Sequence, residues 1–75
     1  MKKYEHQGTL THNNQGRYTL PDDYYFTSGS PIELKIKNRY VKGRIEHSFK
    51  HKDYYFINEE LGIKVYNLAG MKARI

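Results

Sequence analysis

The residues able to do chemistry in this chain are few, and their spacing argues against catalysis. His47 and His51 stand four apart around Phe49 and Lys50, with Lys52 beyond them. On a helix that spacing would place two metal ligands on one face, but the segment reads as a strand end and a loop. No Cys and no nearby third ligand completes a site. His6 and His12 follow no spacing rule. Asp22-Asp23 and Glu59-Glu60 are adjacent carboxylates in turns. Neighbours in extended chain point to opposite sides and make poor acid–base pairs. Ser28 and Ser30 lie beside Gly29 and Pro31, with no His or Lys spaced to activate a hydroxyl. Gly29-Ser30-Pro31 also lacks the lysine and following helix of a phosphate-cradling loop. We expect no enzyme, no metal and no cofactor.

Binding chemistry is better represented. The stretch SGSPIELKIKNRYVKGRIEHSF, residues 28–49, alternates apolar and mostly basic residues. An Asn38-Arg39 loop would pair Ile36 with Val41, Lys35 with Lys42, Leu34 with Gly43, Glu33 with Arg44 and Ile32 with Ile45. The aliphatic side chains then share one face. Glu33, Lys35, Lys37, Tyr40, Lys42 and Arg44 share the other, with Arg39 at the tip. In that register Glu33–Arg44 is favourable, and Lys35–Lys42 is unfavourable by up to roughly 1 kcal/mol. Like charges held beside an aromatic suit a phosphate backbone, with Tyr40 available to stack on a base. Lys50 and Lys52 in the next loop would extend the patch. The plainer alternative is a solvated edge whose lysines discourage strand-to-strand association. An acidic protein surface is a third partner.

Eight tyrosines are more than a core this size can bury with every hydroxyl satisfied. Tyr54, Phe56 and Tyr66 fall opposite the aliphatic positions and make a candidate aromatic interaction surface. It would take a peptide or a base, or a cation if Glu46 or Asp53 converged on it. The alternative is that these rings cover the open end of a small barrel.

The elements that must position these residues are strands. Seventy-five residues make one domain near the lower limit for a self-supporting core, too short to enclose a deep cleft as well. Thirteen Lys and Arg against eight Asp and Glu give a net charge of +5, which favours an anionic partner or simply keeps a small barrel soluble. The absence of Cys fits a reducing cytoplasm. No apolar run approaches the ~20 residues of a membrane span, and Met1-Lys2-Lys3 leads into no signal-peptide core. A cytoplasmic chain without a membrane partner is expected.

Period-two patterning predicts a succession of short strands. A first hairpin, residues 8–20, would turn at Asn13–Gly16 with Gly16 left-handed and Leu10 opposite Tyr18. Tyr24–Thr27 reads as a short strand. The 28–49 hairpin follows, then Asp53–Asn58 with Tyr55 and Ile57 on one face, Ile63–Leu68, and a closing MKARI with Met71, Ala73 and Ile75 inward. Strands this short must bury their apolar faces on one another, and closure into an antiparallel barrel would also remove exposed edges.

From Ser28 onward the order S-G-x-P-I-E-L, V-K-G-R-I-E, Y-Y-F-I and M-K-A-R-I resembles SH3-like barrels of the Tudor kind. Over nearly its full length, through GTL, QGRYTL, SGSPIEL, KGRIEH, YYFI and GMKARI, the chain resembles a family of small proteins known only as a domain of unknown function. That family occurs in Gram-positive bacteria and their mobile elements. The resemblance implies an all-β, SH3-like barrel over 28–75 with an additional N-terminal hairpin and short strand over 1–27. It carries over no functional residues. The expected role is a non-enzymatic module binding nucleic acid with little sequence readout. The alternative is a protein-interaction module or inhibitor from a mobile element, using exposed aromatics or a strand edge. Either would be a monomer or weak homodimer.

Overall fold

Alternation becomes strands wherever a pleated segment can lay its apolar side on a neighbour. A computed structural model describes residues 4–75; the Met1-Lys2-Lys3 start lies outside the described residues. Eight strands follow in chain order: β1 (Gln7–Thr9), β2 (Thr11–His12), β3 (Tyr18–Thr19), β4 (Pro31–Ile36), β5 (Arg39–Ser48), β6 (Asp53–Asn58), β7 (Ile63–Val65) and β8 (Lys72–Arg74). Six form one antiparallel sheet in the order β1-β8-β4-β5-β6-β7, and β2 and β3 form a separate two-stranded hairpin. Among the described residues no helix is long and apolar enough to cross a membrane.

The sheet is not closed into the expected barrel. Its hydrogen-bond ladder ends at β1 and β7, each only three residues long. The inner face is covered instead by the N-terminal segment. Leu10, Tyr18, Leu20 and Phe26 join Ile32, Leu34, Ile45, Phe56, Leu68 and Ala73 in one fully buried cluster. Met71 and Ile75 pack against it beside Ala73, as the alternation of MKARI predicts. Tyr24–Thr27 is not a strand of its own. It touches β3 through a Thr19–Tyr25 bridge and a 3.0 Å bond from Phe26 N–H to the Tyr18 carbonyl.

Both hairpins place the anticipated residues on the anticipated faces, but in a different register. Gly16 is left-handed, at φ 79°, and its N–H closes the turn on the Asn13 carbonyl. Asn13 Oδ1 also accepts the N–H groups of Gln15 and Arg17. The ladder pairs His12 with Tyr18 and Thr11 with Thr19, so Leu10 does not face Tyr18. In the second hairpin Ile36 pairs with Arg39, Lys35 with Tyr40, Leu34 with Val41, Glu33 with Lys42 and Ile32 with Gly43. The loop is therefore Lys37-Asn38 rather than Asn38-Arg39, and Lys37 takes φ 59°. Left-handed backbone costs a lysine roughly 1–2 kcal/mol. The register compensates by setting Glu33 between Lys42 and Arg74 and by removing the Lys35–Lys42 opposition.

Phe56 does not join the expected aromatic surface. It is fully buried, opposite Ile45 on one side and Val65 on the other. The interior face of β6 thus carries Tyr54 and Phe56, not Tyr55 and Ile57. A side chain at Gly43 would collide with the Phe56 ring, so the missing Cβ on β5 makes the space this ring fills.

Candidate functional site

The outer face of β8, β4 and β5 is built around Arg74. Arg74 and Lys72 alternate outward from the buried Ala73, and β8 pairs with β4 so that Arg74 stands beside Glu33. Arg74 Nε donates to Glu33 Oε1 at 2.9 Å. Its guanidinium lies between two rings, 3.8 Å from the Tyr40 centroid and 3.9 Å from that of Tyr4. Tyr4 Oη donates to Glu33 Oε2 at 3.3 Å, completing the enclosure. Planar Arg suits such stacking, and the carboxylate fixes its plane. Beside the stack runs a groove of about 390 Å³ lined by Tyr4, Pro31, Glu33, Lys42, Arg74 and Ile75.

The structure gathers five of the eight sequence-predicted basic-face residues. Lys35 stands across the ladder from Tyr40, with its ammonium 6.0 Å from the ring centroid. Lys37 and Arg39 are exposed at the hairpin tip, and Lys42 projects beside the groove. Lys35, Lys37, Arg39 and Lys42 form no ion pair with a described residue. Lys72 adds a further cation on the same face, 3.5 Å from Thr9 Oγ1.

Three of the predicted set fall elsewhere. Arg44 is neutralised: Nε donates to Glu46 at 2.7 Å, and its two terminal nitrogens donate to Glu59 at 3.2 Å each. The same contacts hold Glu59 below the usual carboxylate range, first through those hydrogen bonds and then through charge. Lys50 and Lys52 lie in the β5–β6 turn, at the far end of β5 from the hairpin tip. Nine rises of ~3.3 Å separate the two ends, about 30 Å. They do not extend the hairpin patch.

Tyr54, Phe56 and Tyr66 do not come together as a surface. Phe56 is in the core, and Tyr54 packs against it with its ring edge-to-face on His47 at 4.9 Å. Tyr66 lies on the outer side, stacked on Tyr55 at 5.1 Å and tilted against His51 at 4.4 Å. The two carboxylates a cage would require are engaged, Glu46 by Arg44 and Asp53 by the N-terminal hairpin. Among the described residues no three His, Asp or Glu converge on one point.

Sequence reasoning missed Tyr4, Lys72 and Arg74. Their outward alternation was readable, but the pairing of β8 with β4 joins segments some forty residues apart and has no local signal. It also missed how Asp53 fastens the hairpin. Asp53 Oδ1 accepts from His12 Nε2, and Oδ2 accepts from Tyr18 Oη, both at 3.0 Å. The Tyr18 oxygen in turn accepts the Leu68 N–H at 3.0 Å, and His12 stacks on the Tyr18 ring. Burial pushes Asp53 upward, and bonds from His12, the Tyr54 N–H and Tyr18 more than offset it, so its pKa is lowered. Tyr18 is raised, chiefly by burial.

No curated protein and no solved structure matches this chain. A family model does, over residues 8–75, which include every described strand but the first residue of β1. The chain belongs to the family described as Domain of unknown function (DUF5348).

Proposed function

We propose that the protein is a non-enzymatic binding module that holds nucleic acid through phosphate contacts on the outer face of β4, β5 and β8. The observation that carries this reading is the division of charge on that face. Lys35, Lys42 and Lys72 share the face of the Arg74 stack, with Lys37 and Arg39 exposed at the hairpin tip, all without an ion pair to a described residue, whereas Arg44 is compensated by Glu46 and Glu59. Uncompensated cations suit a polyanion, and a guanidinium already fixed by two rings and a carboxylate loses little freedom on contact. The Lys35–Lys42 repulsion does not support this reading, because the two residues are not paired. Support comes from the free charges and from Tyr40, whose ring lies 6.0 Å from the Lys35 ammonium.

An SH3-like lineage is consistent with a small antiparallel module of this kind, and rests on the order of sequence features from S-G-x-P-I-E-L to M-K-A-R-I. A cage for a cationic ligand is disfavoured, because Tyr4 and Tyr40 already enclose Arg74. A protein-interaction role through Tyr54, Phe56 and Tyr66 loses Phe56 to the core. The test is titration of the protein with labelled DNA and RNA at low salt. Replacing Lys37 and Arg39 by Glu should weaken binding at least tenfold. No binding at low salt by the unaltered protein would refute the proposal.

A further inference from the structure

The β5–β6 turn carries an arrangement that neither the core nor the basic hairpin face uses. Phe49 is 87% exposed, far more than any other large apolar side chain described. It projects from a short turn between the paired residues Ser48 and Asp53. Ser48 Oγ accepts the His51 N–H at 3.2 Å and lies 3.0 Å from His51 Nδ1, which orders the turn. The Phe49 ring meets His47 in a T-shaped contact, 5.0 Å between centroids, and His47 meets Tyr54 in the same way. On the other side of the turn His51 lies over Tyr66, and Tyr66 over Tyr55. Lys50 and Lys52 are exposed and make no ion pair with a described residue.

We infer that this turn is a second contact for single-stranded nucleic acid, in which bases stack on Phe49 and His51 while Lys50 and Lys52 hold the adjoining phosphates. The inference rests on the nucleic-acid reading of the hairpin face and narrows it to unpaired strands. Ring faces held by neighbouring rings accept any base, because every base has a π-face. Such stacking requires unstacked bases, which duplex does not offer. The flanking ammonium groups supply the charge complementarity that selects a polyanion. A bilayer fits less well, since one phenyl ring and two lysines fall short of a durable anchor. Along β5 the turn stands at most about 30 Å from Lys37 and Arg39, a span of up to about nine stacked nucleotides at ~3.4 Å each. A longer strand can engage both ends of β5, and a short one only one.

The experiment compares three proteins, unaltered, Phe49→Ser and Lys37→Glu/Arg39→Glu, against a labelled twelve-nucleotide single strand and the matching duplex. Phe49 makes no buried contact, so its serine variant should keep the melting temperature of the unaltered protein. The inference predicts that Phe49→Ser weakens single-strand binding at least about fivefold and leaves duplex binding within twofold. It also predicts that the fivefold loss disappears for a four-nucleotide strand bound at the hairpin tip alone. Unchanged single-strand binding by Phe49→Ser, with loss in the Lys37/Arg39 variant, would overturn this inference and leave the hairpin reading standing. Equal loss for strand and duplex would overturn base stacking. Binding to phosphatidylserine vesicles that depends on Phe49, without any effect on the oligonucleotides, would overturn it in favour of a membrane contact. Failure of the unaltered protein to bind either oligonucleotide would overturn both readings.

Discussion

The Phe56 ring occupies the space of a side chain that Gly43 lacks. A Cβ placed on Gly43 would sit 2.5 and 2.6 Å from two carbons of that ring and 2.5 Å from the Ile57 carbonyl oxygen. The contact ties the central strand β5 to β6 through a fully buried ring. Gly43→Ala should therefore destabilise the fold by about 2–3 kcal/mol, measured by urea denaturation, because it overpacks a site with no free volume. Phe56→Leu in the same chain should recover part of that loss. A neutral Gly43→Ala would mean that the two residues are not in contact.

Arg74 and Arg44 offer a contrast of equal charge and unequal setting. Arg74→Lys keeps the charge but loses the planar stack between Tyr4 and Tyr40. Oligonucleotide affinity should fall several-fold. Arg44→Lys, at a position already satisfied by Glu46 and Glu59, should leave affinity within twofold. Fluorescence anisotropy at fixed salt reads both, and equal effects would argue against a site centred on Arg74.

Stability should depend on pH through the bond network at Asp53. Asp53 and Asp22 are lowered in the folded state, Asp22 chiefly by its bond to His6. Their contribution is present above the ordinary carboxylate range and is lost as pH falls below about 4. Tyr18 is raised, so its contribution is present below the ordinary phenol range and is lost as pH rises above about 10. Urea midpoints measured across pH should form a plateau with both limbs falling. Asp53→Asn should flatten the acid limb, and a variant with an unchanged limb would contradict the assignment.

Much of this fold was legible because alternation decides which face a residue takes. Ile32, Leu34, Ile45 and Ala73 are buried, and Lys35, Lys42 and Lys64 point outward, as a period of two demands. Register was not legible, for a definite reason. In both hairpins the observed pairing differs from the expected one by two residues, a shift that preserves every face. What separates such registers is cross-strand chemistry: Glu33 standing opposite Lys42 on one side and Arg74 on the other, and Ile32 lying opposite Gly43. Tyr54-Tyr55-Phe56-Ile57 offered no alternation to read, being apolar or aromatic at every position, and the empty Gly43 on the next strand chose its inner face. The candidate site was half visible. Lys35, Lys37, Arg39, Tyr40 and Lys42 follow from local pattern, whereas Arg74 and Tyr4 arrive through the non-local pairing of β8.

Removing the tip cations should lower the salt dependence as well as the affinity. Lys37→Gln with Arg39→Gln should reduce the slope of log single-strand affinity against log salt by about 1.4, at roughly 0.7 per phosphate contact. An unchanged slope would place the contacts elsewhere on the molecule.

The most direct measurement is the salt dependence of single-strand binding by the unaltered protein between 50 and 200 mM salt. If Lys35, Lys37, Arg39, Lys42 and Lys72 each neutralise a phosphate, the slope on a logarithmic plot should approach about −3.5, at roughly −0.7 per contact. Affinity that does not change with salt, or no binding even at low salt, would contradict a phosphate-binding face.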